Sequence, residues 1–131
     1  TEVATLQFES GSQSRYYRFD ADTPLGFAVT GPTTLRIYTR LDFDQTMRGS
    51  QEYALSVSCD GEHLRTYHFH TRELASAFYP DRSELLPGSR KKLTLTVPAG
   101  RHHFRIACLR PAACGVAARI RLPEKDVRTE R

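Results

Sequence analysis

Apolar and polar side chains alternate one by one through most of this chain, and a period of two puts every second residue on the same side of a β-strand. The rhythm is clearest over Lys91-Lys92-Leu93-Thr94-Leu95-Thr96-Val97, and again over His102-His103-Phe104-Arg105-Ile106-Ala107-Cys108. Between them, Pro98-Ala99-Gly100-Arg101 reads as a four-residue hairpin loop, with glycine at the place that tolerates positive φ. Such a loop sets Val97 opposite His102, Leu95 opposite Phe104 and Leu93 opposite Ile106, so the apolar faces coincide. A slip of one residue would put Leu93 and Leu95 beside Arg105 and His103.

The same rhythm organises the rest of the chain. Over Thr33 to Phe43, Leu35, Ile37, Leu41 and Phe43 share one face, while Arg36, Tyr38, Arg40 and Asp42 share the other. Shorter runs cover Ala4–Glu9 (an expected edge strand), Arg15–Asp20, Leu25–Thr30, Tyr53–Cys59, His63–His70 and Gly115–Leu122. Turn-forming residues punctuate them, notably Gly31-Pro32 and Asp60-Gly61. At Asp60-Gly61 two registers compete. A two-residue turn pairs Val57 with Leu64 and Tyr53 with His68, sending His68 and His70 to the core face. One residue more pairs Leu55 with Tyr67 and Tyr53 with Phe69, which buries more apolar surface and is preferred.

Thr71 to Ser89 lacks strand rhythm; Leu74, Ala77 and Phe78 are spaced for one short helical turn within 72–79, stopped by Pro80. The expected fold is therefore all-β, an antiparallel β-sandwich of jelly-roll or Ig-like type with about eight or nine strands. It forms a single domain over residues 1–123, and residues 124–131 read as a charged, flexible tail.

The chain has 131 residues and a formal charge of +4, with 39% hydrophobic and 26% charged residues, which is the balance of a globular domain. Arginine outnumbers lysine, but acidic residues are interspersed, so no nucleic-acid partner is expected. No apolar run approaches the roughly 18 residues of a membrane-spanning helix. Of the three cysteines, Cys108 and Cys114 flank a short loop that a disulfide could close, three reduced thiols being the alternative. Cys59 lies in phase with Tyr53, Leu55 and Val57 and reads as a small buried hydrophobe. Asp42 and Asp44, at a strand end, read with Asp20 and Asp22 as solvated loop acids, a calcium site being the alternative.

Two groups of residues are candidates for function. Tyr16, Arg18, Arg36, Tyr38 and Arg40, with Arg105, Arg119 and Arg121 beyond them, fall on solvent-facing strand positions and form a candidate ligand-binding surface, the alternative being charges that only keep sheets from aggregating. His68, His70, Glu73 and His103 offer three imidazoles and a carboxylate to a transition metal. Their pattern, His-x-His with a nearby Glu and then Pro98-x-Gly100-x-x-His103, loosely resembles the metal motifs of the cupin family. It departs from them in the spacing of Gly61 to His68 and of His70 to Glu73. The second motif also lacks its leading Gly and closing Asn.

The strand layout over residues 4–122, and the run Leu-x-Leu-x-Val-Pro-Ala-Gly-x-His-x-Phe-x-Ile at 93–106, resemble the non-catalytic β-sandwich modules of bacterial envelope and secreted proteins. Carbohydrate-binding modules are among these. The resemblance implies a binding or structural module that recognises a polysaccharide or a partner protein without a cofactor or catalytic residues. It also implies a secreted, periplasmic or envelope location ahead of a cytoplasmic one. The alternatives are a cupin-like metal-dependent enzyme using His68, His70 and His103, and an assembly component whose edge strands pair into an oligomer.

Overall fold

The structure, a computed structural model, describes residues 2–111 and 115–122. Nine strands carry the described chain, with no helix among them. They are β1 (Glu2–Phe8), β2 (Gln13–Phe19), β3 (Leu25–Phe43), β4 (Gln51–Cys59), β5 (Glu62–Thr71), β6 (Ala77–Phe78), β7 (Leu86–Pro87), β8 (Lys91–Arg110) and β9 (Val116–Arg121). The all-β antiparallel expectation holds. The helical turn expected near 72–79 is absent: Ala77 and Phe78 pair with β1 instead, covering part of the strand expected at an edge.

Two strands are far longer than their rhythm suggests, and they build the sandwich. β3 spans 19 residues and β8 spans 20, and they pair antiparallel from Leu25–Ile106 to Thr39–Lys91. The expected hairpin at Pro98–Arg101 does not form, because the chain runs straight on as β8. Between the pairs Gly31–Gly100 and Thr33–Val97, Pro32 faces both Pro98 and Ala99, two residues against one. Both prolines thus sit in a bulge, where a missing N–H breaks no ladder bond. Gly100 does take a positive φ of 96°, as the sequence implied, but at a bend and not in a turn.

The bend folds one continuous sheet into two layers. The C-terminal half of β3 lies between the N-terminal half of β8 and β9, which continues through β2 and β1 to β6. The N-terminal half of β3 pairs with the C-terminal half of β8, which continues through β4 to β5. One core cluster takes Leu25 and Val29 together with Leu35 and Ile37, and Leu93, Leu95 and Val97 together with Phe104 and Ile106. The halves of each strand therefore face each other across the sandwich. Leu35, Ile37, Leu55, Val57 and Ile106 are fully buried, each contributing about 1.5–3 kcal/mol of transfer free energy. Inside the core the Tyr53 hydroxyl is satisfied by Thr39 Oγ1 at 2.7 Å.

The preferred register of β4 with β5 is the observed one, Leu55 opposite Tyr67 and Tyr53 opposite Phe69. The turn nonetheless keeps two residues, Asp60 and Gly61, both at positive φ, between Cys59 and Glu62. The extra residue is taken up by a bulge at Leu64, which stands 51% exposed between the pairs Ser58–His63 and Val57–Arg65. Tyr53 and Phe69 pack with ring centroids 5.2 Å apart and planes tilted by 39°.

A second, smaller cluster lies on the far side of the first layer. There Ala77 and Tyr79 of the 71–89 connection cover Ala4, Leu6, Tyr16 and Ala117, with Leu74 and Leu85 at its edge. This cover decides which part of the outer sheet face remains open.

Candidate functional site

The even-numbered residues of β3 point away from the main core, as their alternation requires. Arg36 is directly opposite Thr94 on one side and Arg121 on the other; Tyr38 is opposite Lys92 and Arg119. Residues directly opposite across strands share a face, with Cβ atoms about 5 Å apart. Arg36, Lys92, Arg119 and Arg121 therefore form one cationic face on β8, β3 and β9, with Thr34, Thr94 and Thr96 beside them and no carboxylate in the rows. Arg90 adds a fifth cation, its guanidinium resting 4.5 Å from the centroid of the Tyr38 ring. Arg119 Nη1 also donates to Ser14 Oγ at 3.1 Å. Among the described residues none of these five cations is ion-paired.

The same face is closed further along. Tyr16, Arg18 and Arg40, expected in solvent, are 2%, 9% and 6% exposed, because the 71–89 connection lies over them. Arg40 Nε donates to Tyr16 Oη at 3.0 Å and Arg40 Nη1 to the Gly88 carbonyl at 3.0 Å. Of the five expected surface residues only Arg36 and Tyr38 escape burial. Period-two alternation identifies the face opposite the core and carries no information about what a later loop lays on it.

Arg18 closes a cleft of about 280 Å³ with Glu2, Asp20, Asp42, Asp44 and Arg82 among its walls. Its Nε donates to Asp42 Oδ2 at 2.7 Å, its Nη1 to Glu2 Oε2 at 2.7 Å, and its guanidinium lies 4.8 Å from the Tyr79 ring centroid. Burial opposes the charge on Arg18, but the hydrogen bonds to Asp42 and Glu2 outweigh it and raise its pKa. Burial pushes the Asp42 carboxyl up, with Arg18 pulling against it. Arg18 Nη2, Asp42 Oδ1 and Tyr79 Oη are buried without a hydrogen-bond partner among the described residues. Asp42 is thus no solvated loop acid, although Asp20 and Asp44 do share its cleft.

The expected metal residues do not converge. His68 and His70 are exposed on β5 opposite Ala54 and Glu52, and His70 Nε2 lies 3.0 Å from Glu52 Oε1. His103 stands beside Asp60 at the far end of β4, about 20 Å away at a strand rise of roughly 3.3 Å per residue. Glu73, exposed, bridges to Gly88 within the 71–89 connection. Cys108 is buried; the expected Cys108–Cys114 disulfide lies outside the described residues, as does the expected tail at 124–131. A group of ligand-type side chains the sequence did not single out does assemble, at Cys59, Asp60 and His102.

Neither a family model nor a curated protein matches the sequence. A solved structure described as a family 35 carbohydrate binding module from Clostridium thermocellum is similar at 13% identity and a TM-score of 0.41, over 93% of this chain and 87% of that one.

Proposed function

We propose that this chain is a non-catalytic recognition module for an acidic polysaccharide, bound on the open face of β8, β3 and β9. The observation that carries the reading is Arg36 held directly opposite Arg121, with Lys92, Arg119 and Arg90 around them and no acid in the same rows. Like charges directly opposite on a sheet repel and destabilise it, so a polyanion laid across them relieves a cost that the free protein carries. Guanidinium groups suit carboxylate and sulfate oxygens, which they grip in pairs. Tyr38 holds Arg90 in place by its ring, which lowers the ordering cost of that cation.

A folded-protein partner fits this face less well. Protein interfaces centre on apolar anchors, and the large exposed hydrophobics Val3, Tyr17, Leu64, Phe78, Leu86 and Leu109 all lie outside it. The test is calorimetric titration with polygalacturonate, a sulfated glycan and a neutral glucan at two salt concentrations. Binding of the acidic polymers, weakening with salt and falling at least tenfold in Arg36→Thr and Arg121→Thr, supports the reading. Equal binding of the neutral glucan, or binding of no glycan, overturns it.

A further inference from the structure

We propose that Cys59, Asp60 and His102 form a site for a divalent transition-metal ion, with zinc the best fit. A thiol, a carboxylate oxygen and a ring nitrogen lie within 4.8 Å of one another there. Cys59 ends β4 and Asp60 opens the β4–β5 turn, while His102 comes from β8 just beyond its bend. The site is separate from the cationic face, lying at the far end of the hairpin, and no part of the polysaccharide reading depends on it.

The contacts around the three donors are those that prepare ligands. His102 Nε2 lies 3.0 Å from the Ala99 carbonyl oxygen. A carbonyl only accepts, so Nε2 carries hydrogen and Nδ1 is the nitrogen left to coordinate. Metal-bound histidines are oriented in this way by a carbonyl or carboxylate behind the ring. Asp60 is fixed similarly: its Oδ1 accepts from the His103 N–H at 2.9 Å, which leaves Oδ2 facing His102 Nδ1 at 2.7 Å. Nδ1 and Oδ2 both offer lone pairs to the space between them, and only a proton or a metal ion can satisfy both.

The distances suit a tetrahedral ion with modest adjustment. Zinc bonds of about 2.3 Å to sulfur and 2.1 Å to oxygen put those two ligands about 3.6 Å apart; Cys59 Sγ is 3.7 Å from Asp60 Oδ2. Nitrogen and oxygen on the same ion stand about 3.4 Å apart, so the Asp60–His102 contact opens when an ion replaces the proton. Asp60, 48% exposed, has open space on its solvent side for that opening while Oδ1 keeps its bond to the His103 N–H. A mixed sulfur, nitrogen and oxygen set favours zinc over calcium or magnesium, which prefer oxygen alone. Three protein donors leave one position for water. Bound there, the ion ties the β4–β5 turn to the bend in β8.

The test uses the full chain, reduced and stripped by chelator, titrated with cobalt(II) as a spectroscopic stand-in and then with zinc. One equivalent of cobalt should bring up a thiolate charge-transfer band in the near ultraviolet and visible bands of tetrahedral strength, all abolished by zinc. Cys59→Ser should remove the charge-transfer band, and His102→Ala should weaken binding at least tenfold. Cys114→Ser should leave the band intact. Asp60→Asn keeps a residue that tolerates positive φ in the turn, so its loss of affinity, with an unchanged circular dichroism spectrum, reports the ligand and not the fold. A cobalt spectrum without a thiolate band, or unchanged binding in Cys59→Ser, overturns the site.

Discussion

Gly31 and Pro98 meet backbone to backbone where β3 and β8 bend: a Cβ added to Gly31 would stand 2.0 Å from the Pro98 carbonyl oxygen and 2.6 Å from that of Val97. Neither oxygen belongs to a flexible side chain. The approach of the two backbones is what lets one sheet become two layers.

Gly31→Ala should therefore destabilise the protein by about 3 kcal/mol or more, since the added methyl can be housed only by moving paired backbone. A urea midpoint within the error of the unaltered protein would mean that the bend does not need this close approach.

Asp42→Ala should cost about 3–5 kcal/mol, because it leaves the Arg18 guanidinium buried with half its partners gone. Both partners are buried, with side chains 9% and 2% exposed. Glu84, an exposed partner of Arg82, provides the contrast; its removal should leave the midpoint where it was. Replacing Arg18 and Asp42 together by Met and Leu should cost less than Asp42→Ala alone, which a double-mutant cycle would read directly.

Leu64 and Phe69 test the register of the β4–β5 hairpin. With Leu64 pushed out in the bulge, Leu64→Ala should change stability by no more than about 0.5 kcal/mol. Phe69→Ala, which removes the ring packed against Tyr53, should cost about 2–3 kcal/mol, less than a fully buried aromatic. The reverse ranking would place Leu64 opposite Val57 and the aromatic rings outside.

Glu2 makes the fold sensitive to acid. The hydrogen bond from Arg18 above all holds its carboxyl below the usual range; burial, the next largest effect, opposes it, and the charges of Arg18 and Arg82 add to the lowering. A carboxyl with a depressed folded-state pKa contributes fully above its unfolded-state value, and the contribution disappears as pH falls through the folded-state value. Glu2→Gln should thus lower the melting temperature at neutral pH and make no difference in strong acid. A gap that persists in acid would trace the effect to packing and not to charge.

Much of the fold is written in residue order. Odd-numbered residues point inward along β3, from Leu25 to Phe43, and the sequence shows that phase on both sides of Gly31-Pro32, which it reads as a break. The competition at Asp60-Gly61 is settled by apolar area alone, since Tyr53 against Phe69 and Leu55 against Tyr67 bury more than the rival pairs do. The cationic character of Arg36, Arg119 and Arg121 follows from alternation too. That these arginines are neighbours does not, because their adjacency depends on β9 lying beside β3 and not beside β8.

The chain by itself determined which residues face the core, because side-chain phase is a local property of a strand. Along β8 the inward set shifts from odd at Leu93, Leu95 and Val97 to even at Phe104, Ile106 and Cys108. A four-residue hairpin loop and a single bulge produce that same shift. Only the tertiary structure decided between them: β3, far away in sequence, pairs with β8 along its length, and the closeness of Gly31 to Pro98 turns the bulge into a bend. Tertiary structure likewise decided that Tyr16, Arg18 and Arg40 are covered while Arg36 and Tyr38 stay open, since burial of an outer face depends on where a distant connection comes to rest.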